Sequence, residues 1–323
     1  MFVTFIRGVI QIMALFLFGS TGEIITEKSG HLNMGTPGIM CMGATGAAVG
    51  AKLYIDMLGG PIYVENANGF LAIFFPLLFA LLFAGLTGLL YCFLVDSLQC
   101  NQNVTGLIIT TLGAGVYPFV ATITGNPGFG HLSRSFYQRL FPESFCEANW
   151  FTQIFLSHGF LIYLSIILAI IAFFVIKKTR VGLSLRAIGE NPATADASGI
   201  NVNRYKYLAT LIGSCVSGLG GLYYLLSYNF GSLEYNLEAL GWIAVALVIF
   251  SVWNTGIGIL GSFIFAVFYM LPKALNVSGA VSNFVSTLPY IITVVVLIVI
   301  SLFNKRETQP PSALGLPYYR EDR

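Results

Sequence analysis

Charge is what this chain lacks most. Only 9% of its 323 residues are Asp, Glu, Lys or Arg, against 56% apolar, and the mean hydropathy is +0.80. A water-soluble domain carries about 25% charged residues. Most of this surface must therefore face lipid, which excludes a cytosolic enzyme, a secreted disulfide scaffold and a disordered polar chain. A net charge of +2 gives no footing for nucleic acid. The five cysteines (Cys41, Cys92, Cys100, Cys146 and Cys215) form no C-x-x-C pair, and four sit in or beside apolar runs, where a free Cys acts as a small hydrophobe. His31, His131 and His158 are far apart and make no H-E-x-x-H, so neither a metal site nor a catalytic constellation is expected. A phosphate cradle is missing as well. The Lys-Ser/Thr pairs, Lys28-Ser29 and Lys178-Thr179, follow Glu27 and Lys177 instead of a glycine-rich loop.

What is present is a series of long apolar runs. A spanning helix needs about 20 apolar residues, and such stretches lie near 2–18, 34–58, 70–95, 104–124, 154–176, 205–227, 236–252, 257–272 and 284–303. The fold class is all-α integral membrane: a polytopic helical bundle of eight to ten crossings, with a transmembrane domain over 1–304. The first run carries Arg7 as its only cation and is followed by Gly19-Ser20-Thr21-Gly22-Glu23, not by a small-residue cleavage site, so it reads as an uncleaved membrane helix. The 34–58 run is dense in Pro and Gly, from Pro37-Gly38 through Gly46 and Gly50, which predicts a broken or closely packed helix.

Six of the sixteen basic residues (Lys177, Lys178, Arg180, Arg186, Arg204 and Lys206) crowd the 177–206 loop. The positive-inside rule places that loop in the cytoplasm. Counting crossings then puts the 125–152 loop outside, as a cap or docking surface, and the C-terminus inside. The side on which Met1 lies stays open. The 305–323 tail, with Pro310-Pro311 and mixed charges, is expected to be a flexible cytoplasmic end.

Within the basic loop, Asn191-Pro192 is an N-cap followed by proline at the first helical position, and Gly199 is placed for a left-handed exit. Together they predict a short, small-faced helix over 192–198 that must dock on something to persist. Asp, Glu, Lys and Arg are absent from 207–233, 239–272 and 274–304. Ion-coupled carriers place carboxylates at depth, so their absence disfavours secondary transport. The candidate pathway residues are Asn33, Thr36, Thr45, Asn103, Thr110, Thr111 and Asn254, each with an alternative role as a packing hydroxyl or cap. Tyr117, Phe119 and Trp242 are aromatics able to stack on a base, although core and lipid-facing roles are commoner. Glu23, Glu27 and Lys28 read most simply as a solvated or interfacial turn, with a gate pair near the pathway as the alternative.

The 182–202 stretch, with its Gly189-Glu190-Asn191-Pro192 core and Ser198-Gly199-Ile200 exit, resembles the coupling loop of ABC-importer permeases of the ribose and branched-chain amino acid type. The stretch from Gly22-Glu23 through Glu27-Lys28-Ser29-Gly30-His31-Leu32-Asn33-Met34-Gly35 to Gly38-Ile39-Met40 is similar to the "GE…SERSG-LNIG-EGMM" pattern of the nucleoside-importing branch. Gly241–Asn254 looks like that branch's "GFIALAAVIFGKWNP", and Asn101-Gln102 with Val104-Thr105-Gly106 echoes its "ANQVVSG". This chain departs from the pattern at Pro37, where the family has Glu, and at Thr255, where it has Pro.

The resemblance implies a permease subunit in a bacterial inner membrane, without an ATPase or cofactor of its own. Its partners would be a separate ABC ATPase that uses ATP, a second homologous permease chain and an extracytoplasmic substrate-binding lipoprotein. Arg186, Gly189, Glu190, Asn191, Pro192, Ala195 and Gly199 would then serve ATPase coupling. A ribose-type sugar or a branched-chain amino acid is the alternative cargo to a nucleoside.

Overall fold

A computed structural model describes residues 2–125, 128–146, 148–275, 279–303 and 309–318. Every apolar run forms a helix: α1 (Phe2–Glu27), α2 (Thr36–Met57), α3 (Gly69–Cys92) and α4 (Gln102–Thr124) come first. Three short helices follow in the 125–159 region, α5 (Phe129–Tyr137), α6 (Glu143–Cys146) and α7 (Trp150–Phe155), and then α8 (Phe160–Lys178). After it come α9 (Arg180–Glu190) and α10 (Pro192–Ala197), then α11 (Val202–Leu222), α12 (Leu237–Phe250), α13 (Thr255–Ala274) and α14 (Ala280–Phe303). Among the described residues there is no strand. Among the described residues, seven helices are long and apolar enough to cross a membrane, and α12 with its 14 residues is shorter.

The centre of the bundle is α1, α2 and α11. In α2 and α11, 78% of the most apolar window is buried, against 28% in α3 and 33% in α8. Small residues permit that closeness. A Cβ added at Gly38 would strike the backbone of Ile109 and Thr110 on α4, at Gly43 the backbone of Gly218 on α11, and at Gly46 and Gly50 the backbone of α3. The 34–58 segment is therefore closely packed and not broken: α2 runs without interruption from Thr36 to Met57. Pro37 sits in its first turn, where a missing N–H costs nothing. The interruption falls earlier, in the 28–35 turn, where Gly30 takes φ +92°.

Helix α3 ends in a π turn over Phe93–Ser97, and α11 in another over Tyr223–Tyr228. Each is followed by a non-glycine residue at positive φ, Gln99 (56°) and Phe230 (52°). Tyr91, two residues before the first π turn, and Tyr223, at the start of the second, are fully buried and donate to the carbonyls of Leu32 (2.8 Å) and Gln11 (2.9 Å).

The ends of the helices sort into two groups. Around α10 gather the end of α1, the start of α2, the end of α3, the start of α4 and the 251–254 turn. The 309–318 segment joins them, where a flexible end was expected: Pro311 and Ala313 are buried, and the N–H groups of Ala313 and Gly315 are hydrogen-bonded to α9 and to the 28–35 turn. At the far end lie the start of α1, the 58–68 connection, α5 to α7 and the π turn of α11. There Phe129, Leu132 and Phe136 of α5 are buried in the main core, so this part of the 125–152 loop packs down on the bundle.

Candidate functional site

The 28–35 turn is the hub of the α10 end, and its charged neighbours are buried, contrary to a solvated turn. Glu23 and Glu27 lie one turn apart on α1 with 1% and 5% exposure. Glu23 Oε2 accepts hydrogen bonds from the Thr36 hydroxyl and, at 3.4 Å, from Asn33 Nδ2, while Glu27 Oε2 accepts from the Trp253 indole N–H. Trp253 and Val252 both hold left-handed φ, 53° and 55°, a conformation costly for bulky residues. The indole bond and burial of Trp253 beside Ile24, Ile176 and Val248 hold that turn in place. Lys28 is half-buried, and burial pulls its amine below the usual lysine range, against the pull of Glu190 in the opposite direction.

On the other side of the turn, His31 is fully buried between two partners. Its Nε2 meets Asp96 Oδ1 at 2.9 Å and its Nδ1 meets Thr210 Oγ1 at 2.9 Å. A neutral ring with the proton on Nε2 satisfies both, donating to the carboxylate and accepting from the hydroxyl. Burial lowers the His31 pKa, which favours that neutral form. Lys206, 3% exposed, brings its ammonium to 3.6 Å from the same Asp96 oxygen. Cys92 completes a group in which His31, Cys92 and Asp96 ligand atoms lie within 4.8 Å of one another. Because Lys206 already supplies the positive charge opposite Asp96, the group is an ion-pair node that ties the turn to α3 and α11, and it does not suit a metal ion.

Four of the seven expected pathway residues belong to the interior of this end or of α2. Asn33 and Thr36 bond Glu23, Thr110 Oγ1 donates to the Met34 carbonyl (2.8 Å), and Thr45 Oγ1 donates to Cys41 one turn back (2.9 Å). Asn254 is half-buried and caps α13 through the Gly256 N–H. Asn103 and Thr111 are exposed on α4. Among the aromatics, Tyr117 is buried against Tyr235, Phe119 is exposed and Trp242 is half-buried.

The α9–α10 pair forms as its caps demand. Thr179 caps α9 through Gly182 N–H, and Asn191 Oδ1 accepts from Thr194 N–H with Pro192 at the first position of α10. Gly199 ends it at φ +84°, with its N–H bonded to the Asp196 carbonyl at 2.9 Å. Ala195 is buried with Ile188 and Val202, whereas Thr194, Ala197 and Ser198 are exposed. Gly189 meets the turn directly, since a Cβ there would lie 2.5 Å from the Lys28 carbonyl oxygen. Arg186 is half-buried, and the exposed Glu190 accepts from the Ser312 hydroxyl at 2.7 Å.

A family model described as the permease component of branched-chain amino acid transport systems matches residues 4–300. The chain belongs to this permease family. It is similar to the nucleoside ABC transporter permease protein NupC of Lactococcus lactis subsp. cremoris, at 28% identity over 94% of this chain and 93% of the relative. The guanosine ABC transporter permease protein NupQ of Bacillus subtilis is 28% identical, over 96% of this chain and 94% of its own. A putative glucose ABC transporter permease protein, TsgC13 of Haloferax volcanii, is 27% identical over 98% and 97%. No solved structure matches. Family and helices together make this a multi-pass membrane protein and an ABC permease subunit.

Glu27, His31, Asp96, Lys206 and Trp253 carry the hub, and sequence reasoning assigned them no role in it. Asp96 stands at the edge of an apolar run, which is the one local signal that it serves something other than solvation.

Proposed function

We propose that this chain forms the translocation pathway of an ATP-driven importer of nucleosides, working beside a second, homologous permease chain. The observation that carries the reading is the α9–α10 pair: a capped, small-faced helix outside the bundle, with its other side fixed to the 28–35 turn and to α11. Such an element receives a push from a separate ATPase and passes it to the bundle. ATP is used by that partner, and this chain holds no cofactor. Lys177, Lys178, Arg180 and Arg204 are exposed around the pair, so this end and the C-terminal segment face the cytoplasm. The start of α1 then lies outside, where a substrate-binding lipoprotein delivers the solute. Arg186, Gly189, Glu190, Asn191, Pro192, Ala195 and Gly199 shape the coupling element. With Asn33, Thr36, Thr45 and Thr110 engaged in packing, Asn103 and Thr111 are the polar groups left for a pathway along α4.

The names of NupC and NupQ support nucleosides, and that of TsgC13 supports a sugar as the second reading. The test is gentle solubilisation of the tagged chain from its own membranes. Recovery of an ABC ATPase with the wild type, and its loss with Pro192→Leu, is the expected result. A chain that emerges alone under conditions that preserve such complexes overturns the reading. Competition of radiolabelled uridine uptake by adenosine, with no effect of glucose, separates nucleosides from sugars.

A further inference from the structure

The 309–318 segment makes more specific contacts than a solvated end requires, and they reach both sides of the hub. Two backbone donors, two residues apart, go to two different elements: Ala313 N–H to the Gly189 carbonyl of α9 (2.9 Å) and Gly315 N–H to the Gly30 carbonyl of the 28–35 turn (3.1 Å). Gly315 stands at φ +78°, the conformation that lets the strand of chain reverse between them. Side chains repeat the pattern. Ser312 Oγ donates to Glu190 Oε2 (2.7 Å), Tyr318 OH donates to Asp196 Oδ2 (2.9 Å), and Gln102 Nε2 on α4 donates to the Leu316 carbonyl (3.4 Å). The same Gln102 accepts from Leu32 N–H of the turn at 2.8 Å. Leu314 packs on the cluster of Ile24, Ile176, Val248 and Trp253, and Tyr318 on that of Ile188, Ala195 and Val202.

We propose that residues 309–318 are a working strap of the ATPase docking platform. The segment holds α9–α10 and the 28–35 turn as one body, so that a displacement delivered at α10 reaches Glu23 and His31. Direct contact between the two is narrow, because Gly189 meets Lys28 and Gly30 without a side chain of its own. The strap widens that contact from both flanks. It also sets the chemistry of the surface offered to the partner. The acids of the loop, Glu190 and Asp196, are both held by strap hydroxyls, while Lys177, Lys178, Arg180 and Arg204 stay exposed around the small face of α10. The partner surface that fits is an acidic-rimmed groove with room for a short helix.

The inference rests on α10 as the ATPase docking element, and the experiment separates the two. The complete importer is purified by the tagged permease and reconstituted in liposomes, and the recovered ATPase, its hydrolysis rate and uridine uptake are measured. Three permeases are compared: the wild type, a deletion of 309–323 and the double variant Ser312→Ala/Tyr318→Phe. No ATPase with the wild type overturns both readings. With the ATPase recovered, the strap predicts that uptake per ATP falls at least about tenfold in the deletion and about threefold in the double variant, which keeps the whole backbone. Uptake per ATP equal to the wild type in the double variant, with Ala313 and Gly315 amides exchanging freely in the wild-type complex, overturns the strap while leaving the docking reading standing. If the deletion does not insert, the double variant and the amide exchange decide alone.

Discussion

Each end of the bundle buries a histidine, and the two are held in different ways. At the α10 end, His31 has partners on both ring nitrogens, and they come from the π turn after α3 and from α11, 65 and 179 residues further along the chain. At the far end, His158 donates from Nε2 to the Ile154 carbonyl only four residues back (2.8 Å), and its Nδ1 has no partner among the described residues. One histidine ties distant elements; the other closes a local turn before α8. The same contrast runs through the rest of both ends. Near α10, Gln102, Trp253, Tyr318 and Lys206 all bridge elements far apart in sequence, whereas at the far end the bond from Tyr223 to the Gln11 carbonyl is set among aromatic pairs such as Tyr137–Phe230 and Tyr224–Tyr228. Directional polar ties transmit a displacement as a unit, and aromatic contacts slide. In the importer proposed above, a push delivered at α10 calls for stiffness there and compliance at the opposite end.

The contrast breaks most sharply at Lys206. Removing its ammonium leaves the Asp96 carboxylate, 9% exposed, with only a neutral imidazole beside it, and an uncompensated charge at a fully buried site costs about 3–5 kcal/mol, an upper bound here. Lys206→Met is expected to lower the unfolding midpoint in detergent far more than Lys52→Met, whose partner Asp56 lies in a partly exposed i,i+4 pair (2.7 Å) worth a few tenths of a kcal/mol. Equal effects of the two changes would show that the buried node ties nothing together.

Acid distinguishes the ends next. Burial, with Arg7 nearby, holds His158 at about 4 against an ordinary 6.5. The unfolded chain therefore binds a proton that the folded chain refuses. Stability from this group is whole above pH 6.5 and is lost progressively as pH falls toward 4, by about 3 kcal/mol in all. His158→Gln keeps a donor for Ile154 and does not titrate, so the slope of stability between pH 6.5 and 4 should flatten. Thermal unfolding across that range measures it, and an unchanged slope would assign the acid sensitivity elsewhere.

How much of this was legible beforehand follows from the range of each interaction. The nine apolar runs and the Asn191-Pro192 to Gly199 helix depend on neighbours a few residues away, and a sequence displays them directly. The density of small residues in 34–58 signalled close packing, but it could not distinguish a broken helix from one pressed against α3, α4 and α11. The burial of Glu23 and Glu27 depends on Thr36 and Trp253, the latter 226 residues from Glu27. Nothing near either acid reveals a partner at that distance. The 309–318 segment has the composition of a loose end, and its order comes from α9, α4 and the turn.

Smaller effects sharpen the boundary between packing and pathway. Gly199→Ala forces a side chain into φ +84°, which costs about 1 kcal/mol. It should weaken ATPase recovery more than it lowers the unfolding midpoint, since α10 contributes little to the core.

On α4 the test is between two threonines one residue apart. Thr110 spends its hydroxyl on the Met34 carbonyl across an interface, whereas Thr111 returns its own to Ile108 on the same helix (2.9 Å). Thr110→Val should cost about 1 kcal/mol through the lost bond, and Thr111→Val less than about 0.5 kcal/mol, as expected for an exposed site. Transport should reverse that order if α4 borders the route: Thr111→Val and Asn103→Ala would change uridine uptake several-fold at unchanged stability, and Thr110→Val would act only through folding. In a Cys100→Ser background, Thr111→Cys reacting with a water-soluble maleimide, and protected by uridine, would place the solute on α4. A cysteine there that reacts only with lipid-soluble reagents assigns this face to the bilayer, and the route must then be sought on another helix.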